Sequence, residues 1–160
     1  MSRSLTSAFA LLARFIPGVV WIWAGGAKLG DLYNSAQAVW AYEILSWRVA
    51  NVVGHVLPAV EVVVGLALIA GLLSRFVGAA SGLMLIAFVI GIASVWARGI
   101  EIDCGCFGGG GYDPNASAHY PWEIARDVGL LLCSAFVVWQ GGGRWSADRW
   151  LLGTKDDDGE

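Results

Sequence analysis

Cys104-Gly105-Cys106 is the sharpest chemical feature of the chain, and it holds two of its three cysteines. A disulfide closed between residues i and i+2 forms a small ring that departs from relaxed geometry. Strained disulfides have higher, more oxidising potentials and behave as labile or catalytic bonds. Gly105 supplies the backbone freedom that so tight a ring needs. A purely structural bond gains almost nothing here, because the loop it closes is negligibly short. Two readings stay open, a redox dithiol and a thiolate metal site. Asp103 and His119 share the loop, but Cys-x-Cys with one distant His is not a zinc spacing. The soft ion Cu(I) suits two thiolates better, and no metal ligand set is assigned. Cys133 stands alone in an apolar segment, about 20 Å along a helix from its outer end. That is too deep to resolve a bond in the loop, and a small apolar packing role fits it.

The second feature is a pair of charges in apolar surroundings, Arg14 and Glu61. Counted from the ends of their segments, both fall near mid-span, and antiparallel neighbours would hold them at similar depth. Each charge alone costs several kcal/mol there, and pairing reduces that cost. The spacing therefore predicts an ion pair joining two helices, with a proton or substrate relay as the alternative. Lys28 and Arg98 stand at segment ends on the side of the cysteines. Either could snorkel to the headgroups or stabilise a nearby thiolate. His55 reads as an interfacial side chain.

The elements that must position these residues follow from composition. The chain has 160 residues, of which 57% are hydrophobic and 14% charged, with a mean hydropathy of +0.63. Soluble domains are about 45–50% apolar and about 25% charged, so lipid is the expected solvent. Disorder is excluded by the apolar content. Nucleic-acid binding is excluded by a net charge of −3 without a basic cluster. A membrane helix needs about 20 mostly apolar residues, and four segments qualify: about 5–27, 52–73, 76–97 and 120–139. The last is weakened at its start by Glu123, Arg126 and Asp127. Arg14 splits the first apolar run and argues against a cleavable signal peptide.

The expected fold is all-α, a polytopic four-transmembrane-helix bundle over residues 1–142, with a cytoplasmic tail over 143–160 that is disordered at its end. Arg3, Arg75, Arg144, Arg149 and Lys155 share one side, against Lys28, Arg48 and Arg98 on the other. That bias puts both termini in the cytoplasm and the Cys-Gly-Cys loop outside. In the first outer loop Ala36, Trp40, Ile44 and Trp47 recur at helical spacing, which predicts a short interfacial helix, either a headgroup anchor or a lid over the other outer loop. That second loop, about 98–121, is Gly-rich and predicted to hold nothing regular beyond turns. Gly18, Gly25, Gly26, Gly65, Gly78 and Gly82 predict close helix approach. Trp21, Trp23, Trp96 and Trp122 predict an aromatic belt or a pocket for a quinone ring.

Arg14-Phe15-Ile16-Pro17-Gly18 with Trp23-Ala24-Gly25-Gly26-Ala27-Lys28-Leu29 resembles the first span of the DoxX-like superfamily. Pro58-Ala59-Val60-Glu61 with Gly65 and Gly71 resembles its second. Cys104-Gly105-Cys106-Phe107-Gly108 resembles the signature of its MauE branch, the methylamine-utilisation membrane proteins, and on this likeness Gly105 and Phe107 join the supporting set. The resemblance spans about residues 8–140. It implies a four-helix, redox-associated membrane protein that works with extracytoplasmic thioredoxin-fold partners in forming or rearranging disulfides, without implying a methylamine link here. The expectation is thiol–disulfide exchange through Cys104 and Cys106. Two alternatives stand beside it, a non-catalytic membrane scaffold for a redox complex and a Cu(I)-handling protein. No cofactor is assigned, and quinone is the one electron sink considered.

Overall fold

The computed structural model describes residues 3–140. Its helices are α1 (Arg3–Leu29), α2 (Leu32–Ala41), α3 (Trp47–Ala70), α4 (Ser74–Ala97) and α5 (Ala116–Gln140), with strands β1 (Ile102–Asp103) and β2 (Gly111–Tyr112) between α4 and α5. Three stretches are long and apolar enough to cross a membrane: Phe9–Leu29, Trp47–Ala70 and Ser74–Ala97. The tail expected over 143–160 lies outside the described residues.

α1 packs along α3, and α4 packs along α5. Small residues set both contacts. A Cβ at Gly18 would stand 3.0 Å from the Gly65 carbonyl, and one at Gly25 would stand 2.6 Å from the Pro58 carbonyl. Seven residues on α1 are thus matched by seven in the opposite direction on α3, which fixes an antiparallel register at backbone contact. On the other pair, a Cβ at Gly78 would lie 3.1 Å from Val138. Gly26, expected among the packing glycines, meets nothing within 4 Å.

Two expectations need correction. The short helix stops at Ala41, and Trp47 already opens α3. Asp31 caps α2 by accepting the Asn34 N–H at 3.0 Å, and Glu43, with φ of 54°, turns the chain out of the helix. The face that α2 buries is the small one, Ser35, Ala36 and Ala38. Trp40 is exposed and meets Trp47 edge-on at 5.7 Å. Small side chains win inside because α3 comes so close: a Cβ at Gly54 would fall 2.3 Å from Ala36 Cα. The second correction is Trp21, which is buried rather than part of a belt. Its indole N–H donates to Ser81 Oγ at 2.8 Å, and Ser81 lies 2.9 Å from Ser134 Oγ. This chain of polar contacts ties α1, α4 and α5 where every buried donor needs a partner.

Candidate functional site

The polar loop after α4 is more ordered than its glycines suggest. β1 and β2 pair antiparallel, Ile102 with Tyr112 and Asp103 with Gly111. Tyr120 of α5 holds β1: its hydroxyl accepts the Ile102 N–H at 3.1 Å and lies 2.8 Å from the Ile102 carbonyl. The turn that follows carries the cysteines. Asp103 Oδ1 accepts the Gly105 N–H at 2.8 Å, a local turn that sets the pair. Gly105 has φ of 66°, and a Cβ there would stand 2.7 Å from Ala38 Cβ on α2. Glycine is required twice over, by the left-handed backbone and by the helix lying against it. Asn34 of α2 donates to the Gly108 carbonyl at 3.5 Å. So α2 does cover the second loop.

Cys104 and Cys106 are free thiols. The Cys106 N–H donates to Cys104 Sγ at 3.2 Å, and Tyr42 Oη donates to the Cys104 carbonyl at 2.8 Å. Cys104 is half-buried, and Cys106 is only 6% exposed. The interaction of its S–H with the Cys106 sulfur, then burial, pushes the Cys104 thiol well above its ordinary range. Burial, helped by the two cysteines, raises the Tyr42 hydroxyl too. The thiolate form of Cys104 is therefore scarce near neutrality, and a raised pKa means that thiolate appears only as pH climbs. Alkylation of Cys104, followed by mass spectrometry across pH, should keep rising beyond the ordinary thiol range. In Cys106→Ser, which removes the largest cause, the curve should move to lower pH.

Lys28 is at the site, though not on the thiols. Its Nζ donates to Glu61 Oε1 at 2.6 Å, and both side chains are buried. It also lies 5.5 Å from the centre of the Phe88 ring. The predicted Arg14–Glu61 pair is replaced by this one. Arg14 and Lys28 are separated by fourteen residues of α1, about 21 Å along the axis, so one carboxylate cannot serve both. The glycine register sets Gly25, close to Lys28, beside Glu61. Arg14 is buried further back on α1. Arg98 bonds elsewhere. It donates from Nε to the Ser94 carbonyl at 3.2 Å and from Nη2 to the Tyr42 carbonyl, and it stands 4.0 Å from Glu43. It ties the end of α4 to the turn before α3. Phe107 stacks with Trp23 at 5.1 Å and lies under the Arg126 guanidinium at 4.8 Å. Cys133 packs among the core side chains of α1, α4 and α5.

Two site residues are absent from the sequence-based set. Tyr42 bonds the thiol-bearing turn, as described. Glu123 of α5 acts electrostatically on the Cys104 thiol, and its buried Oε2 has no hydrogen-bond partner among the described residues. Beside it Arg126 pairs with Asp127 at 2.8 Å. The three charges that weakened this segment as a span stand at helical spacing, i, i+3 and i+4, and that was the available signal. Among the described residues no three His, Cys, Asp or Glu side chains converge as a metal site.

A cavity of about 440 Å³ opens beside the loop. Cys104, Gly105 and Cys106 line it with Lys28, Ser35 and Tyr42, and apolar side chains of α3 and α4 complete it. The arrangement offers two adjacent thiols, a carboxyl whose charge acts on one of them, and a buried lysine on the same apolar chamber.

Neither a curated protein nor a solved structure matches the chain. A family model, that of the methylamine utilisation protein MauE, matches residues 6–140. Over most of its length, then, with membrane-length apolar helices and the Cys-Gly-Cys turn, the chain belongs to the MauE family.

Proposed function

We propose that this chain is a membrane-embedded thiol–disulfide exchange protein acting through Cys104 and Cys106 on an extracytoplasmic thioredoxin-fold partner. The observation that carries the reading is the pair of adjacent free thiols, one half-exposed and one buried, with the Cys106 N–H bonded to Cys104 Sγ in a turn held by Asp103, Tyr42 and Tyr120. Closed as a disulfide, such a pair can take a partner's thiolate at one sulfur while the other leaves as a thiol, and the partner's second thiol then displaces Cys104 from the mixed disulfide, so that the partner is oxidised and the pair reduced.

The reading includes the topology. α5 runs beside α4 from Trp96–Tyr120, with ring centres 6.4 Å apart, to Gly78 against Val138. A helix lying along the whole of a spanning helix occupies the same depth, so α5 is the fourth span. Its charges are accommodated because they face α1 and the loop rather than lipid. α2 then lies at the outer interface, over the cysteines. Both termini are cytoplasmic, as the Lys and Arg distribution favours.

Thiol trapping tests this directly. A membrane-impermeant maleimide applied to intact cells should label Cys104 after reduction and fail to label it after mild oxidation. If Cys104 and Cys106 hold one redox state at every accessible potential, exchange is excluded. Labelling only after the membrane is opened would reverse the topology.

A further inference from the structure

We propose that the cavity beside the cysteines takes the head group of a lipid-soluble quinone, which oxidises the Cys104–Cys106 dithiol. This rests on the exchange reading and supplies its electron acceptor, so the partner is oxidised. The argument starts from how the cavity opens. α3 and α4 follow one another through a short turn, yet α3 packs on α1 and α4 on α5, and the two scarcely touch. The space between them is roofed by α2. Three lining side chains, Ile44, Leu45 and Ile90, are also exposed on the outer surface, Ile90 by 61%. The rim is therefore apolar, with Ile90 on the membrane-length helix α4 and Ile44 and Leu45 on the turn between α2 and α3. A polar oxidant would lose its hydration there with nothing in exchange. A molecule already dissolved in lipid loses nothing.

The inner wall is different from the rim. It carries both cysteines, the Lys28 ammonium and the Tyr42 and Ser35 side chains. Few polar groups converging in an apolar chamber mark a small-molecule site. An occupant must be apolar enough to enter, carry an oxygen acceptor for Lys28, and take two electrons from a dithiol, and a quinone meets all three demands. Lys28 has three N–H donors, and one goes to Glu61. Another can stabilise the oxygen that becomes negative as the ring is reduced. The step balances. Two S–H bonds break and one S–S bond forms, while two electrons and two protons pass to the quinone oxygens. One quinol is formed per disulfide.

The test uses the full chain purified in detergent micelles, reduced and kept free of oxygen, with decylubiquinone as the probe. Quinol should appear in equal amount with the Cys104–Cys106 disulfide, counted by mass spectrometry. Binding is read separately by equilibrium dialysis on the Cys104→Ser/Cys106→Ser double variant, where no redox step can occur. Ala87→Trp and Leu57→Phe each fill the cavity and should weaken that binding about tenfold, the usual effect of overpacking by a kcal/mol or so. The proposal is overturned if decane displaces the probe as well as decylubiquinone itself does, or if neither filled variant changes binding. A dithiol that diamide closes but decylubiquinone does not would sink the quinone step and leave exchange standing. A dithiol that no oxidant closes would sink exchange itself.

Discussion

Replacing Cys106 by Ser should freeze exchange half-way and make the chain accumulate as a mixed disulfide with its partner. Cys104 is the half-exposed sulfur and Cys106 the buried one, so a partner's cysteine meets Cys104 first. In the variant Cys104 is a lone thiol, so it joins a partner that arrives oxidised, and the thiol that would resolve that mixed disulfide from this side is Cys106, whose N–H bonds Cys104 Sγ at 3.2 Å. Serine keeps the size and the turn but cannot attack sulfur. The expected result is a species on non-reducing gels that carries both chains, disappears with dithiothreitol and joins through Cys104 by mass spectrometry. Cys104→Ser should lose turnover as completely yet trap little, because the remaining thiol is covered. Equal trapping by the two variants would show that the burial difference does not set the order of attack. Cys133→Ser should leave exchange unchanged, since Cys133 is packed into the core of the helices away from the turn.

The Glu123 carboxyl bears on the same experiment. A thiol whose pKa is pushed up is a poor nucleophile unless a base takes its proton as it attacks. Glu123 is the carboxyl whose charge acts on Cys104, so Glu123→Gln should slow exchange if that carboxyl takes the proton and leave it unchanged if it does not.

How much of this was legible in the sequence differs by element, for physical reasons. The membrane helices were, because an apolar run of membrane length has few other fates. The Cys-Gly-Cys turn was, because its chemistry is carried by neighbours in sequence. Lys28–Glu61 was not. Counting from assumed span ends put Glu61 at the depth of Arg14, but α3 begins at Trp47, five residues before the expected 52, and the Gly18–Gly65 and Gly25–Pro58 contacts shift the register. Arg98 was misplaced for a related reason. Nearness in sequence to the cysteines is no guide where β1 leads the chain away, and the guanidinium meets Tyr42 and Glu43 instead. α2 was misread in extent, since Ile44 and Trp47 continue the apolar spacing past Ala41, and in the place of Ala36, which was grouped with the interfacial side chains and is buried. Here an approach as close as Gly54 to Ala36 admits only small ones. Glu123 was read only as a blemish in a span, since nothing local links it to a turn some twenty residues earlier.

Breaking the Lys28–Glu61 pair should have the largest effect on stability, and the two halves should not be equal. Glu61 is fully buried, and its Oε2 has no hydrogen-bond partner among the described residues, so Lys28 supplies the bond seen at Oε1. Lys28→Met strands that carboxyl in apolar surroundings. A broken buried pair costs about 3–5 kcal/mol, so unfolding of the variant in mixed micelles should begin at far lower denaturant. Glu61→Gln keeps an oxygen that accepts from Lys28, and the lysine stands at the last turn of α1, where a long side chain can snorkel outward. That variant should lose only about 1–3 kcal/mol. Lys28→Met/Glu61→Leu removes both charges together and should recover most of the loss, because well-packed apolar replacements of a buried pair are often neutral. Its behaviour in exchange then separates packing from chemistry. A double variant that folds like the parent but no longer oxidises its cysteines with quinone assigns Lys28 to the reaction. One that folds and still does so leaves the ammonium as a helix tie alone.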